Sequence, residues 1–581
     1  MRKLLVLLTV IVSSINAGAQ RYDVDKSFDN FKVRFLDAYW KEFPSSAIWV
    51  GYSKYYENLA IPDSAYFASG VSFSKQWLDS LHTIRYRELN ENNRISYNVI
   101  ENRLKRTIWE TDTLKIQQWD PSRYNLGRES FFLLTQPYAP LDERLKTLSK
   151  HLQYADAYYS AAIKILSQPT KEHTQLGITQ NEGGLSVFGS ALTDSINASN
   201  LSTADKDTLQ QHIKLTTTAI KDYIASLRKI IADPNFTFRS FRIGEILFNQ
   251  KFQYEIVTDY TAREIFNKAL AAKKSYHKQM FTLANQLWPK YCSGIPKPSD
   301  SLLLIKTVID KISLYHVSPA NLFDTLNKQV HDLKQFVAQK GLFDFDTAAP
   351  IVVRKMPSFA SGVAMASATF PLPYQKESVA YFNIADLSAM PPEKAESQLR
   401  EHNDYILQIL TIHEGVPGHC MQGIYNSQKS PDIVKSVFGN YAMAEGWAVY
   451  CQRMMLENGW DNNAPEMWLM FYKWSLRECC NVIVDYGIHC LSYTREDVVK
   501  LLKDEAFQEE AQVEEKYHRA TVSQVQLCYY FTGATEIRAL RDAYQKKMGS
   551  KYTLKGFHEK FLSYGTTPVK FIREAMLKNE L

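Results

Sequence analysis

The sequence predicts a mainly α-helical protein with one small β element beside the helix that carries its chemistry. Three observations lead there. Long amphipathic patterns of helical period fill most of the 581 residues. Pro and Gly fall mainly in the short polar turns between those patterns. Only the stretch from Pro350 to Ile384 changes texture, to short β-branched and aromatic runs. A hydrophobic content of 45% with 13% aromatics suits large cores in two or more lobes.

The first element is a leader. Met1-Arg2-Lys3, the apolar run Leu4 to Val12, and Ala17-Gly18-Ala19 before Gln20 predict a secretory signal peptide over residues 1–19. Its apolar run is too short to span a bilayer, no Cys follows the cleavage site to take a lipid, and no later segment is apolar for long enough to cross. The expectation is a soluble exported protein, periplasmic or extracellular. Arg2 and Lys3 account for two units of the formal charge of +6, and the small remainder gives no argument for a nucleic-acid or acidic-membrane partner. The seven cysteines are odd in number, gather towards the C-terminus and read as buried thiols, not as a disulfide framework.

Helical patterns follow at Lys32 to Phe43, Leu141 to Leu166, Thr208 to Ile231, Thr261 to Leu287 and Leu302 to Ile312, making residues 20–349 an N-terminal helical region. Residues 350–581 are the predicted catalytic, metal-binding region. It opens on strands at Ile351-Val352-Val353, Ala366 to Phe370 and Ser378 to Ile384, the last two joined as a hairpin across Pro371 to Lys376. Such a strand can pair along its edge with an extended peptide; an ordinary structural hairpin is the alternative. Pro391-Pro392-Glu393 then opens a helix, and Leu399 to Ile412 runs into His413. Later helices are expected at Val434 to Leu456, Met467 to His489, Arg495 to Leu502, Val522 to Met548 and Val569 to Lys578.

The chemistry is concentrated in His413-Glu414-Gly415-Val416-Pro417-Gly418-His419. Two imidazoles are nitrogen ligands suited to zinc, and a carboxylate beside the first can take a proton from water acidified by the ion. In the usual H-E-x-x-H arrangement the two His share a helix face. Here they are six residues apart, about 120° off a common face in a regular helix. Pro417, flanked by Gly415 and Gly418, therefore predicts a kink or bulge between the ligands. Cys420 reads as core and not as a ligand.

A third ligand should come from another helix. Glu445 lies in the apolar stretch Tyr441 to Tyr450, where an unpaired carboxylate is costly to bury, and Gly446 allows a neighbouring helix to approach. Glu457, next to Asn458-Gly459, looks like an exposed helix end, so Glu445 is preferred.

His413 to His419, Glu445-Gly-Trp-Ala-Val-Tyr450, Val484-Asp485-Tyr-Gly487-Ile-His489 and Gln526-Leu-Cys-Tyr-Tyr530-Phe-Thr-Gly533 together resemble the bacterial domain of unknown function 885 family of zinc hydrolases. That family is itself similar to the mostly helical gluzincin peptidases. The likeness runs from Phe43-Pro44 to Gly565. It implies a large helical zincin-like fold with the small sheet beside the metal-site helix, a single Zn²⁺ held by His413, His419 and Glu445, and Glu414 as general base. Tyr530 or His489 would donate to a developing oxyanion, Asp485 would orient His489, and Arg519 would receive a substrate carboxylate. For Tyr530, His489 and Arg519 a purely structural role is the alternative. Cys420 stands where the family commonly has another His, and Ser523-Gln524-Val525 lacks its usual Pro-Gly.

The function expected is that of a secreted zinc metallopeptidase acting on short peptides. The alternatives are a metal-dependent amidohydrolase on a modified or non-peptide amide, and a binding protein without turnover, against which the intact Glu414 argues. Ligand type alone also admits Mn²⁺ or Co²⁺.

Overall fold

The computed structural model describes residues 23–356, 365–375, 379–429 and 432–578. The leader predicted at residues 1–19 lies outside the described residues. No described helix is long and apolar enough to cross a membrane.

The chain is mainly helical with one three-stranded sheet. Helix α1 (Val24–Glu42) begins where the Asp23 side chain accepts from the Lys26 amide, and buries Phe28, Phe31, Phe35 and Tyr39 at helical spacing. Helix α2 (Glu91–Trp109) packs beside it. Two 30-residue helices follow, α3 (Thr203–Ala232), capped by Ser202, and α4 (Ala262–Tyr291), opened by a Thr261–Glu264 capping box.

Strands β1 (Ile351–Lys355), β2 (Ala366–Thr369) and β3 (Ala380–Ile384) form a sheet in the order β1-β3-β2. β2 and β3 pair antiparallel, as the hairpin requires, while β1 joins β3 in parallel. Beneath the sheet run α5 (Asp404–Glu414) and α6 (His419–Lys429). After them come α7 (Tyr441–Glu457), α8 (Pro465–Leu491), α9 (Glu510–Val522), α10 (Tyr529–Met548) and α11 (Val569–Leu577).

Several expected helices are interrupted, each for a local reason. The stretch from Leu399 to His413 breaks at His402-Asn403, where the Asn403 side chain turns back to accept from the Tyr405 and Ile406 amides at 3.2 and 3.3 Å. Asn440 does the same within the expected Val434 to Leu456 helix, accepting from the Met443 amide at 2.8 Å. The Leu141 to Leu166 pattern divides after Leu152. The expected helix from Val522 begins only at Tyr529, because Val525 takes a positive φ of 72°.

The cores do not respect the boundary at residue 349. One cluster joins Phe28, Phe35 and Tyr39 to Phe382, Trp447 and Ile572, and a second joins Phe248 and Leu287 to Val484 and Phe531. All seven cysteines are free thiols, and all but Cys490 are fully buried.

Candidate metal centre

The predicted break between the histidines is present. α5 ends at Glu414 and α6 begins at His419, with a cis Val416–Pro417 peptide between them. The Gly418 amide reaches back to the Ile412 carbonyl at 2.9 Å, and a Cβ on Gly418 would overlap the His413 carbonyl oxygen. Only glycine fits this fold-back, which turns His419 towards His413. The two rings lie 4.8 Å apart at 86°.

Glu445 enters from α7. Its Oε2 lies 3.4 Å from His413 Nε2 and 3.2 Å from His419 Nε2. One ligand atom from each of the three residues lies within 4.8 Å of the others, a compact N,N,O set of the kind that suits zinc. Burial pushes the Glu445 carboxyl up, but the two imidazoles outweigh it and hold the group well below the usual carboxylate range. Burial likewise pushes His419 down, and Glu445 outweighs it to hold the imidazole up at about 9.

A chain of hydrogen bonds fixes His413. The Gln452 oxygen accepts from His413 Nδ1 at 2.9 Å and from Trp474 Nε1 at 3.0 Å, while its nitrogen donates to Glu478 Oε1 at 2.9 Å. The reverse amide orientation would set its oxygen against that carboxylate and its NH₂ against the indole N–H. With its proton on Nδ1, His413 leaves Nε2 bare on the side of His419 and Glu445, able to act as a ligand. Burial pushes the Glu478 carboxyl up to about 8. Neither Gln452 nor Glu478 was expected from the sequence. Gln452 had a signal, since it lies seven residues from Glu445 and so on the same helix face.

Tyr530 lies on the first turn of α10, its ring 6.5 Å from that of His413. Arg519 Nη2 donates to its hydroxyl at 3.2 Å. Burial and the nearby Glu445 charge push the phenol up, so it stays neutral and able to donate. Glu414, Tyr530 and Arg519 line one cavity of about 1150 Å³ together with the three candidate ligands. Met365 to Ala368 and Phe370 also line it. A Cβ on Gly423 of α6 would collide with the Phe370 side chain, so this glycine lets the residue that follows β2 pack closely on α6.

Two expectations fail on geometry. His489 does not line the cavity: its Nε2 donates to the carbonyls of Ala520 at 2.9 Å and Ser523 at 3.2 Å, and burial pushes it down to about 4. It ties α8 to the end of α9 and so positions Arg519, away from any oxyanion. Asp485 does not orient it, because its Oδ1 is 3.8 Å from His489 Nε2, beyond hydrogen-bond reach. The other Asp485 oxygen instead accepts from the Leu527 amide at 3.2 Å and holds the turn that precedes Tyr530.

A protein from Shewanella oneidensis of solved structure is 42% identical over 95% of this chain and 100% of its own, with a TM-score of 0.86. One from Colwellia psychrerythraea shares the fold at 16% identity, with a TM-score of 0.76 over 95% of this chain and 98% of its own. Both are described as a "putative lipoprotein", the first of unknown function. No curated protein matches. Residues 44–576 match the family described as bacterial protein of unknown function (DUF885), and the chain belongs to that family.

Proposed function

We propose that this protein is a zinc-dependent peptidase of gluzincin type that acts outside the cytoplasm on short peptides. One observation carries the reading: His413, His419 and Glu445, with Glu414 beside them, open onto the cavity that residues of β2 also line. Among the described residues β2 pairs only with β3, so the backbone N–H and C=O groups of its other edge have no strand partner there, and Ala366 to Ala368 of this strand line the cavity. An extended peptide can add to that edge, which favours peptides over small non-peptide amides.

His413, His419 and Glu445 would hold a zinc ion, which when bound would supply Lewis acidity to the scissile carbonyl and the attacking water. Glu414 takes the proton from that water and returns it to the leaving amine. Tyr530, kept neutral, donates its hydroxyl hydrogen to the carbonyl oxygen as charge develops on it. Gln452 keeps the His413 proton on Nδ1, and Arg519 holds the Tyr530 hydroxyl in place. The cavity is bounded by both halves of the chain, from Trp40 and Arg103 to Tyr530, which favours short unfolded substrates over folded ones.

The test is digestion of a diverse peptide library by the zinc-loaded full chain, read by mass spectrometry beside the Glu414→Gln variant. Cleavage by the wild type and its loss in the variant support the reading. No cleavage by the wild type, or equal cleavage by both, overturns it.

A further inference from the structure

Part of the cavity wall is cationic beyond what the chemistry above requires. Arg477 on α8 and Lys516 and Arg519 on α9 all line it, the last two one helical turn apart. Two of the three have neighbours. Arg477 donates to Gln512 and lies 4.0 Å from Glu401, itself paired with Lys473 at 2.7 Å, and Arg519 donates to Tyr530. Lys516 has none: it is 4% exposed, yet among the described residues its ammonium has no hydrogen bond or ion pair. Asn481, also 4% exposed and on the same wall, has an Oδ1 with no hydrogen-bond partner. A buried cation without a partner is costly and persists where an anionic ligand completes it, whereas the Asn481 Oδ1 is an acceptor that an N–H of such a ligand would satisfy. Burial, followed by the charges of Arg477 and Arg519, holds the Lys516 ammonium well below its ordinary value, an environment that an anion would relieve.

We propose that Lys516, with Arg519 and Asn481 beside it, is a subsite for a substrate carboxylate, so that the natural substrates are peptides presenting either a free C-terminus or an acidic side chain to α9. This rests on the peptidase reading for its catalysis but not for its binding. A carboxylate accepts from the Lys516 ammonium and the remaining Arg519 N–H groups, and the Asn481 amide can supply a further donor.

The experiment uses the zinc-loaded full chain carrying Glu414→Gln, with isothermal titration of three probes: N-acetyl-tetraalanine as the free acid, its carboxamide, and N-acetyl-Ala-Ala-Ala-Glu carboxamide. The free acid is expected to bind about 100-fold more tightly than its carboxamide, the order of effect of a buried charge-assisted contact. Lys516→Met, close in shape and free of charge, should reduce that preference to about 3-fold, and Asn481→Leu should reduce it in part. Tight binding of the Glu carboxamide would assign the subsite to side chains, and its absence to the C-terminus. Equal affinity for acid and carboxamide, an unchanged preference in Lys516→Met, or no binding of any probe overturns the proposal. Preferential binding of an acid that the wild type never cleaves overturns the peptidase reading and leaves the subsite standing.

Discussion

Gly446 on α7 and Gly533 on α10 pack so closely that a Cβ on either would overlap the backbone of the other helix. This crossing sets the candidate site. Glu445 precedes one glycine and Tyr530 lies one turn before the other, so the helix separation fixes how far the third ligand stands from the phenol. Gly446→Ala is expected to destabilise the protein by about 2 kcal/mol through overpacking. It should also weaken zinc binding about tenfold by displacing Glu445. Urea unfolding and competition with a chromophoric chelator measure the two effects. An unchanged midpoint with unchanged affinity would show that the crossing has slack.

Gln452 gives a second prediction, because it decides which nitrogen of His413 is bare. Replacing it with Leu removes the acceptor at Nδ1, lets the imidazole proton move to Nε2, and leaves the Trp474 indole and the Glu478 carboxyl without their shared partner. Zinc affinity is expected to fall between about 10- and 100-fold while His413, His419 and Glu445 remain intact. Gln452→Glu, which keeps the acceptor, should recover part of it. Equal affinity in wild type and Gln452→Leu would mean that the ring is held by packing alone.

Much of this was legible in the sequence, and the missing parts have physical causes. The His413 to His419 break could be read because Pro417 and Gly418 are local backbone signals, and Glu445 because a carboxylate in an apolar helix needs a partner. The interruptions at Asn403 and Asn440 were missed because an Asn inside an apolar pattern looks like a tolerated polar residue until its side chain is seen capping the next helix. Glu478 and Lys516 could not be found by periodicity. Which face of α8 or α9 meets the cavity depends on where distant helices cross, and His489 was misassigned for the same reason.

Glu478 yields a pH prediction for the metal-free protein. Its folded carboxyl is raised to about 8 against an ordinary value of 4.5, so the folded state holds a proton that the unfolded state has released across that interval. The group's contribution is therefore fully present below about pH 4.5 and is lost as pH rises through 8. Glu478→Gln keeps an acceptor for Gln452 and removes the titration. Between pH 5 and 9 the variant should lose less stability than the wild type, by about 3 kcal/mol at the upper end, as measured by chemical denaturation at each pH. Parallel curves for the two proteins would exclude Glu478 as the source.

Tyr530 separates catalysis from structure at this site. Its hydroxyl accepts from Arg519, so its own hydrogen is free to point into the cavity, and burial with the nearby Glu445 charge keeps it protonated. A donor used only when charge develops on the carbonyl oxygen strengthens in the transition state, so its loss should appear in kcat and not in KM. Tyr530→Phe is expected to lower kcat about 100-fold on any peptide the wild type cleaves, with KM within about threefold and zinc occupancy unchanged. Arg519→Met should lower kcat less, because the hydroxyl remains but loses the group that orients it. A Tyr530→Phe protein with wild-type kcat would place the phenol among the packing residues of α10 and leave Glu414 and the metal to carry the chemistry.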